Sequence, residues 1–149
     1  TSNLKRAINS LNIILSTLNK ENVNIIKTSK LNERHYGGLT SLNKDEIIKK
    51  YGYKQVKIWR RSYDISPPGG ESLKQVVERV RPYYENNILP IIKNKKNILI
   101  AAHGNSLRAM MICIGLYKPE EISKIEIPTG SPFISYYKDN KIIKSEYLF

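Results

Sequence analysis

Sulfur, imidazole and long apolar runs are all scarce in this chain. Its 149 residues hold one cysteine, Cys113, and two histidines, His35 and His103. A single thiol excludes an intrachain disulfide. Its neighbours Met110, Met111, Ile112 and Ile114 put it on the core side of a helix, which suits a reduced, cytoplasmic setting. The two histidines and the cysteine lie far apart without ligand spacing, which speaks against a metal centre. No apolar run approaches membrane-spanning length, and the amino end shows no basic region followed by an apolar core. A glycine-rich P-loop, a dinucleotide fingerprint and a Gly-x-Ser-x-Gly elbow are also missing, which removes the usual signatures of nucleotide binding and serine hydrolysis.

What is present is the composition of a soluble globular protein, 40% hydrophobic and 26% charged. The length suits one domain with one core. A net charge of +12 points to anionic partners, either polyanions or small anionic substrates. Much of the excess is lysine scattered among Asn and Ile, as in Lys93 to Asn97. No stripe of stacking aromatics lies between the cations, so nucleic acid is disfavoured.

Leu4, Ala7, Ile8, Leu11, Ile14, Leu15 and Leu18 recur at helical spacing, with Thr1, Ser2 or Asn3 as caps, so the chain opens on a helix. In α/β proteins such a helix usually follows a strand, and here none precedes it. Val23 to Lys27 reads as a short strand, and Leu31 to Thr40, polar and glycine-punctuated, as a loop of the kind that carries function. Asn43 caps a helix with Glu46, Ile47, Ile48 and Tyr51 that Gly52 ends or interrupts. A further helical piece holds Val56, Ile58 and Trp59 before Arg60 and Arg61. Ile65 to Gly70 is a connector, after which Glu71 or Ser72 opens a helix buried through Leu73, Val76, Val77, Val80, Tyr83 or Tyr84, and Ile88. Pro82 kinks or divides it, and Pro90 with the lysines from Lys93 ends it. Pro119 to Ser123 suggests another helical turn, and Pro128 to Pro132 a loop. Phe133 to Tyr137 and Lys141 to Tyr147 read as a terminal hairpin around Asp139-Asn140.

The chemistry gathers at Ile98 to Arg108. An apolar run of strand length stops at His103, turns through Gly104 and restarts as a helix that Asn105 or Ser106 caps, with Leu107, Met110, Met111 and Ile114 facing the core. Histidine titrates near neutral pH, glycine admits close approach of backbone, and unpaired N–H groups at a helix start attract an anion. With Glu33 and several arginines at loop or strand-end positions, the inventory is that of phosphoryl transfer.

Leu31 to Lys44, Val56 to Arg61, Glu71 to Lys74, Ile98 to Arg108 and Pro128 to Gly130 together resemble the cofactor-dependent phosphoglycerate mutases of the histidine phosphatase superfamily. LNERHYGGL, KIWRRS and LIAAHGNSLR carry the resemblance, which runs over nearly the whole chain. It implies a three-layer α/β sandwich with a mostly parallel sheet, here a single domain over residues 1–149. It implies interconversion of 3-phosphoglycerate and 2-phosphoglycerate in glycolysis and gluconeogenesis through a phosphohistidine. The primer would be 2,3-bisphosphoglycerate, and no metal is needed. Glu33 would be the proton donor and acceptor and His103 the second active-site histidine. Arg6, Arg60 and Arg61 would bind phosphate and carboxylate, joined by Tyr36, Lys44, Gly104 and Asn105, with Arg34 and His35 on the same loop.

The family's Arg-His-Gly motif, whose histidine accepts the phosphoryl group, has no match here. The expectation is therefore a chain lacking that first strand, with an incomplete sheet and no activity of its own. The connector from Ser66 to Gly70 is shorter than in many mutases. The expected partners are phosphoglycerates, not nucleic acid or membrane, in the cytoplasm, with a homo-oligomer left open. The alternatives are a phosphatase of the same superfamily and a noncatalytic basic fragment that binds polyanions.

Overall fold

The computed structural model describes residues 1–148; the side chain of Lys44 lies outside the described residues. Its elements in chain order are α1 (Lys5–Thr17), α2 (Lys44–Tyr51), α3 (Tyr53–Arg61), α4 (Leu73–Tyr83), α5 (Leu89–Lys93), α6 (Gly104–Cys113), α7 (Pro119–Ile122), and the strands β1 (Phe133–Lys138) and β2 (Lys141–Tyr147). Short 3-10 turns at Ser29–Leu31 and Gly37–Leu39 punctuate the loop between α1 and α2.

The core is built on the packing of α4 against α6. Val76, Val80, Ala109 and Ile122 are fully buried there. Their small or branched side chains let the two helix backbones approach closely, and each buried valine contributes on the order of 1.5–3 kcal/mol relative to an exposed one. Ser72 and Gln75 form a reciprocal capping box that fixes the start of α4. A second cluster, Leu39, Ile47, Val56 and Trp59, joins the loop to α2 and α3.

Pro82 sits inside α4, and the ladder then widens into a π-helical turn at Tyr84–Ile88 before regular spacing returns in α5. A proline without an N–H disrupts the i→i−4 series in this way. Pro90, expected to stop a helix, instead lies in the first turn of α5, where its missing N–H costs nothing.

The two segments expected to be strands, Val23–Lys27 and Ile98–Ala102, have no ladder. A strand is held by a continuous ladder of backbone partners on its flanks; among the described residues these segments have none, although the Thr1 amino group donates to Ile26 O at 2.8 Å. What they have is a parallel bridge between Ser2 and Thr28, the Thr28 N–H donating to Thr1 O at 3.0 Å, and the Thr1 hydroxyl donating to Ala101 O at 2.7 Å. The apolar side chains of Val23, Ile25, Ile26, Ile98 and Leu99 are correspondingly exposed. Among the described residues the only ordered sheet is therefore the antiparallel β1–β2 hairpin, not a mostly parallel one. Asp139 and Asn140 both take positive φ in its two-residue turn, as expected of that pair.

Helix starts bring two further corrections. Leu4 is the N-cap of α1, although Ser2 Oγ accepts from its N–H at 3.2 Å. His103, not Asn105 or Ser106, is the N-cap of α6, and Ser106 in its first turn accepts the His103 N–H at 3.1 Å. Leu107 and Ile114 are less buried than expected; Ala109 and Ile112 join Met110 and Met111 on the core face.

Candidate active site

The Leu31–Leu39 loop, the start of α1 and the end of α3 enclose a pocket of about 700 Å³. Arg6, Glu33, Arg34, His35, Tyr36 and Arg60 are among its lining residues. The geometry thus gathers residues scattered across more than fifty positions of sequence into one concave, cation-rich place, suited to a small anion.

Glu33 is held in position from two sides. Its Oε1 accepts from the Arg34 N–H at 2.7 Å, and from both the backbone and side-chain N–H groups of Asn105 at 3.3 and 3.0 Å. Asn105 also donates to the Tyr36 hydroxyl at 3.4 Å. Asn105 lies in the first turn of α6, so the carboxylate faces the positive end of that helix and is joined directly to the turn that carries His103.

His103 is buried, and both of its ring nitrogens are engaged. Arg6 Nε donates to Nδ1 at 3.1 Å, and Nε2 lies 2.8 Å from Ser2 Oγ. A nitrogen facing a guanidinium N–H must accept, so the ring proton belongs on Nε2 and is donated to the serine hydroxyl. Burial lowers the His103 pKa first, and the Arg6 charge adds to this against an opposing pull from Glu33. The imidazole is therefore neutral at pH 7.

Arg34 is almost entirely buried, with no carboxylate partner among the described residues. Its Nη2 donates to the Tyr36 hydroxyl at 3.0 Å and to the last-turn carbonyls of Trp59 and Arg60 at 3.2 and 3.4 Å, and its guanidinium lies over the Tyr36 ring. This guanidinium caps the negative end of α3, the helix whose last turn carries Arg60 and Arg61. Its Nε is buried without a hydrogen-bond partner among the described residues.

The remaining expected residues divide. His35 is exposed and its Nδ1 accepts from the Gly37 N–H. Gly104 and Asn105 lie in the first turn of α6, where Asn105 reaches Glu33 and the Tyr36 hydroxyl; neither borders the pocket itself. Arg61 points elsewhere, reaching Glu126 at 3.5 Å on an exposed surface. Two adjacent arginines on one helix diverge by about 100 degrees, and here only Arg60 turns inward. Lys44 opens α2, and its side chain is outside the described residues.

Two residues were not legible as belonging to the site, Ser2 and Arg79, and Arg108 packs away from the pocket. Ser2 reads as a helix cap, and only its contact with His103, a hundred residues on, reveals a second task. Arg108 donates to Ile125 O through Nε and Nη2, and burial lowers its pKa, with the Arg61 charge adding to the effect and Glu33 opposing it. Arg79 sits in a helix stripe that reads as core and surface, without a local signal.

Known proteins agree on what this architecture is. Over 98% of its length the chain superimposes with a TM-score of 0.74 on a mycobacterial glucosyl-3-phosphoglycerate phosphatase, at 17% identity and covering 73% of that chain, so the fold is of the α/β type seen there. A family model for the histidine phosphatase superfamily (branch 1) matches residues 1–146, and the chain belongs to that family. The chain is 50% identical over 147 residues to a phosphoglycerate mutase of Schizosaccharomyces pombe, covering 98% of this chain and 70% of the relative. It is 48% identical to a 2,3-bisphosphoglycerate-dependent phosphoglycerate mutase of Beijerinckia indica, with the same coverage of both chains.

Proposed function

We propose that this site serves the interconversion of 3-phosphoglycerate and 2-phosphoglycerate through a phosphohistidine, as a 2,3-bisphosphoglycerate-dependent phosphoglycerate mutase. The observation that carries the reading is the wiring of Glu33. Its carboxylate lines an arginine-rich pocket and is tied through Asn105 to the turn holding His103, in a chain about half identical to named mutases.

Arg6 and Arg60 hold the phosphate and carboxylate of the substrate, since guanidinium forks match both groups. Arg34 supports them from behind through Tyr36 and the end of α3. Glu33 takes and returns the proton of the substrate hydroxyl, a task for a carboxylate within hydrogen-bond reach. His103, neutral and with its proton fixed on Nε2, stabilises the phosphoryl group in transfer. The pocket residues fit a doubly phosphorylated ligand: several cations line it, and the buried Nε of Arg34 is unpartnered. When bound, 2,3-bisphosphoglycerate supplies the phosphoryl group that primes the acceptor histidine.

Neither histidine of this chain suits the acceptor. His103 has both nitrogens engaged, and His35 is exposed with Nδ1 accepting a backbone N–H. The reading therefore takes the acceptor from outside these 149 residues, and the 149 residues alone do not become phosphorylated. In the same reading they form one domain, and Val23–Lys27 and Ile98–Ala102 take their places in a mostly parallel sheet of a three-layer sandwich. The parallel Ser2–Thr28 bridge supports this. Phosphoglycerates account for the positive charge without nucleic acid or membrane, and the setting is cytoplasmic. No helix among the described residues is long and apolar enough to cross a membrane, and no cluster of three metal-ligating side chains occurs among them.

The test is a product assay on the full-length protein with 3-phosphoglycerate, with and without 2,3-bisphosphoglycerate. Formation of 2-phosphoglycerate that depends on the primer supports the mutase. Release of inorganic phosphate without isomerisation refutes it in favour of a phosphatase.

A further inference from the structure

The Glu33 loop is irregular, and its backbone polar groups have to be satisfied from outside it. Arg79, midway along α4, supplies much of this. Its Nη1 donates to Lys30 O at 2.6 Å, and its Nη2 donates to Asn32 O at 2.9 Å and to Glu33 O at 3.4 Å. The same guanidinium grips Glu71 as a fork, with Nε at 2.8 Å from Oε1 and Nη2 at 3.1 Å from Oε2. Glu71 then closes the other end of the loop. Its Oε2 accepts the His35 N–H at 2.9 Å, and its own N–H donates to His35 O at 2.7 Å. The ion pair is largely shielded, with 18% of the Arg79 side chain and 27% of the Glu71 side chain exposed. The segment from Lys30 to His35 is thus bolted to the middle of α4 and to the residue before its N-cap, and α4 is anchored in the core against α6.

We propose that the Arg79–Glu71 pair is the positioning device of the reaction, holding the backbone on both sides of Glu33 so that its carboxylate meets the substrate hydroxyl at the right distance. Both side chains also border the pocket, but their hydrogen bonds go to each other and to the loop backbone beside Glu33, so they act through Glu33. Catalytic proton transfer is sensitive to such placement, since a displacement on the order of 1 Å costs about 100-fold in rate. The proposal rests on the mutase reading.

The test uses the full-length protein, with Arg79→Met and Arg79→Lys measured beside the wild type. Arg79→Met is expected to lower kcat by about 100-fold while KM for 3-phosphoglycerate stays within about twofold. Arg79→Lys keeps a point charge but not the fork, so it is expected to fall between the two. In parallel, amide hydrogen exchange is read at residues 30–36 and in α6. Faster exchange confined to 30–36 in Arg79→Met supports the clamp and shows that the core has folded. An unchanged kcat in a protein whose wild type isomerises phosphoglycerate overturns the proposal. If the wild type does not isomerise, the mutase reading fails instead, and the clamp is then judged by exchange alone: unchanged protection at 30–36 overturns it.

Discussion

The two halves of the site are held in opposite ways. The Leu31–Leu39 loop has little regular structure, yet it is tied by Arg79 and Glu71 and pressed against the Pro67–Gly70 connector. The Gly38 N–H donates to Pro68 O at 3.0 Å, and the Glu33 carboxylate is held from α6. The Ile98–His103 segment looks the more regular in sequence, but it lacks a strand partner among the described residues. The His103 ring is held by side chains from the first six residues and its backbone by the first turn of α6, and half of Leu99 is exposed. Local regularity and mechanical constraint are separate quantities. A loop becomes rigid when its backbone groups are paired from outside, and a strand-like run stays loose without a neighbour.

The sharpest way to break this contrast is at Gly37. It adopts φ +57, and a Cβ there would meet Pro68 O at 2.1 Å and the backbone of Gly69 and Gly70 at 2.4 Å. None of these atoms can swing aside. Gly37→Ala is therefore expected to destabilise by about 3 kcal/mol or more, or to displace the loop, as read from the urea midpoint and from exchange at 30–36. A cost under about 1 kcal/mol would show the loop to be less constrained than described.

A matched pair of substitutions compares the core with the unpaired segment. Val76→Ala, at a fully buried position, is expected to cost about 2 kcal/mol, whereas Leu99→Ser should stay within about 0.5 kcal/mol. Equal costs would mean that Ile98–Ala102 is packed like a strand. Ser2→Ala removes the partner of His103 Nε2 and of the Leu4 N–H, and about 1 kcal/mol is expected from denaturant unfolding.

Acidification separates the halves with the smallest effects. The fold lowers the His103 pKa, so its contribution to stability is complete above the unfolded value near 6.5 and is lost as pH falls through that value toward the folded one. Burial opposes ionisation of Glu71, but the hydrogen bonds from Arg79 and from the His35 N–H, with their charges, prevail and lower its pKa. Its contribution is present above the ordinary carboxylate range and lost as pH falls through the lowered value. Arg79→Met should remove most of this second, more acidic loss and narrow the His103 window only slightly, because the Arg79 charge is the smallest of the causes that lower the His103 pKa, as followed by unfolding at a series of pH values.

Much of this was legible in the residues themselves. Helical periodicity located α1, α2, α3, α4 and α6, and Asp139-Asn140 located the hairpin. Glu33 stood out on its loop, Arg6, Tyr36, Arg60 and Asn105 were named through the family resemblance, and the structure brings them together. Missed features depend on partners distant in sequence. Nothing local distinguishes Arg79 from a surface cation on α4, and nothing near Ile98 shows whether a neighbouring strand is present. The divergence of Arg60 and Arg61 was foreseeable from helix geometry, but which one faces the pocket depended on how α3 packs through Val56 and Trp59.

The central claim is that the carboxylate of the constrained loop moves the proton. In the full-length protein Glu33→Gln preserves size and the hydrogen bonds from Asn105 but cannot take that proton. Steady-state mutase kinetics should show kcat falling by about 100-fold to 10,000-fold with KM changed by less than about threefold. Turnover at the wild-type rate would contradict the assignment of Glu33.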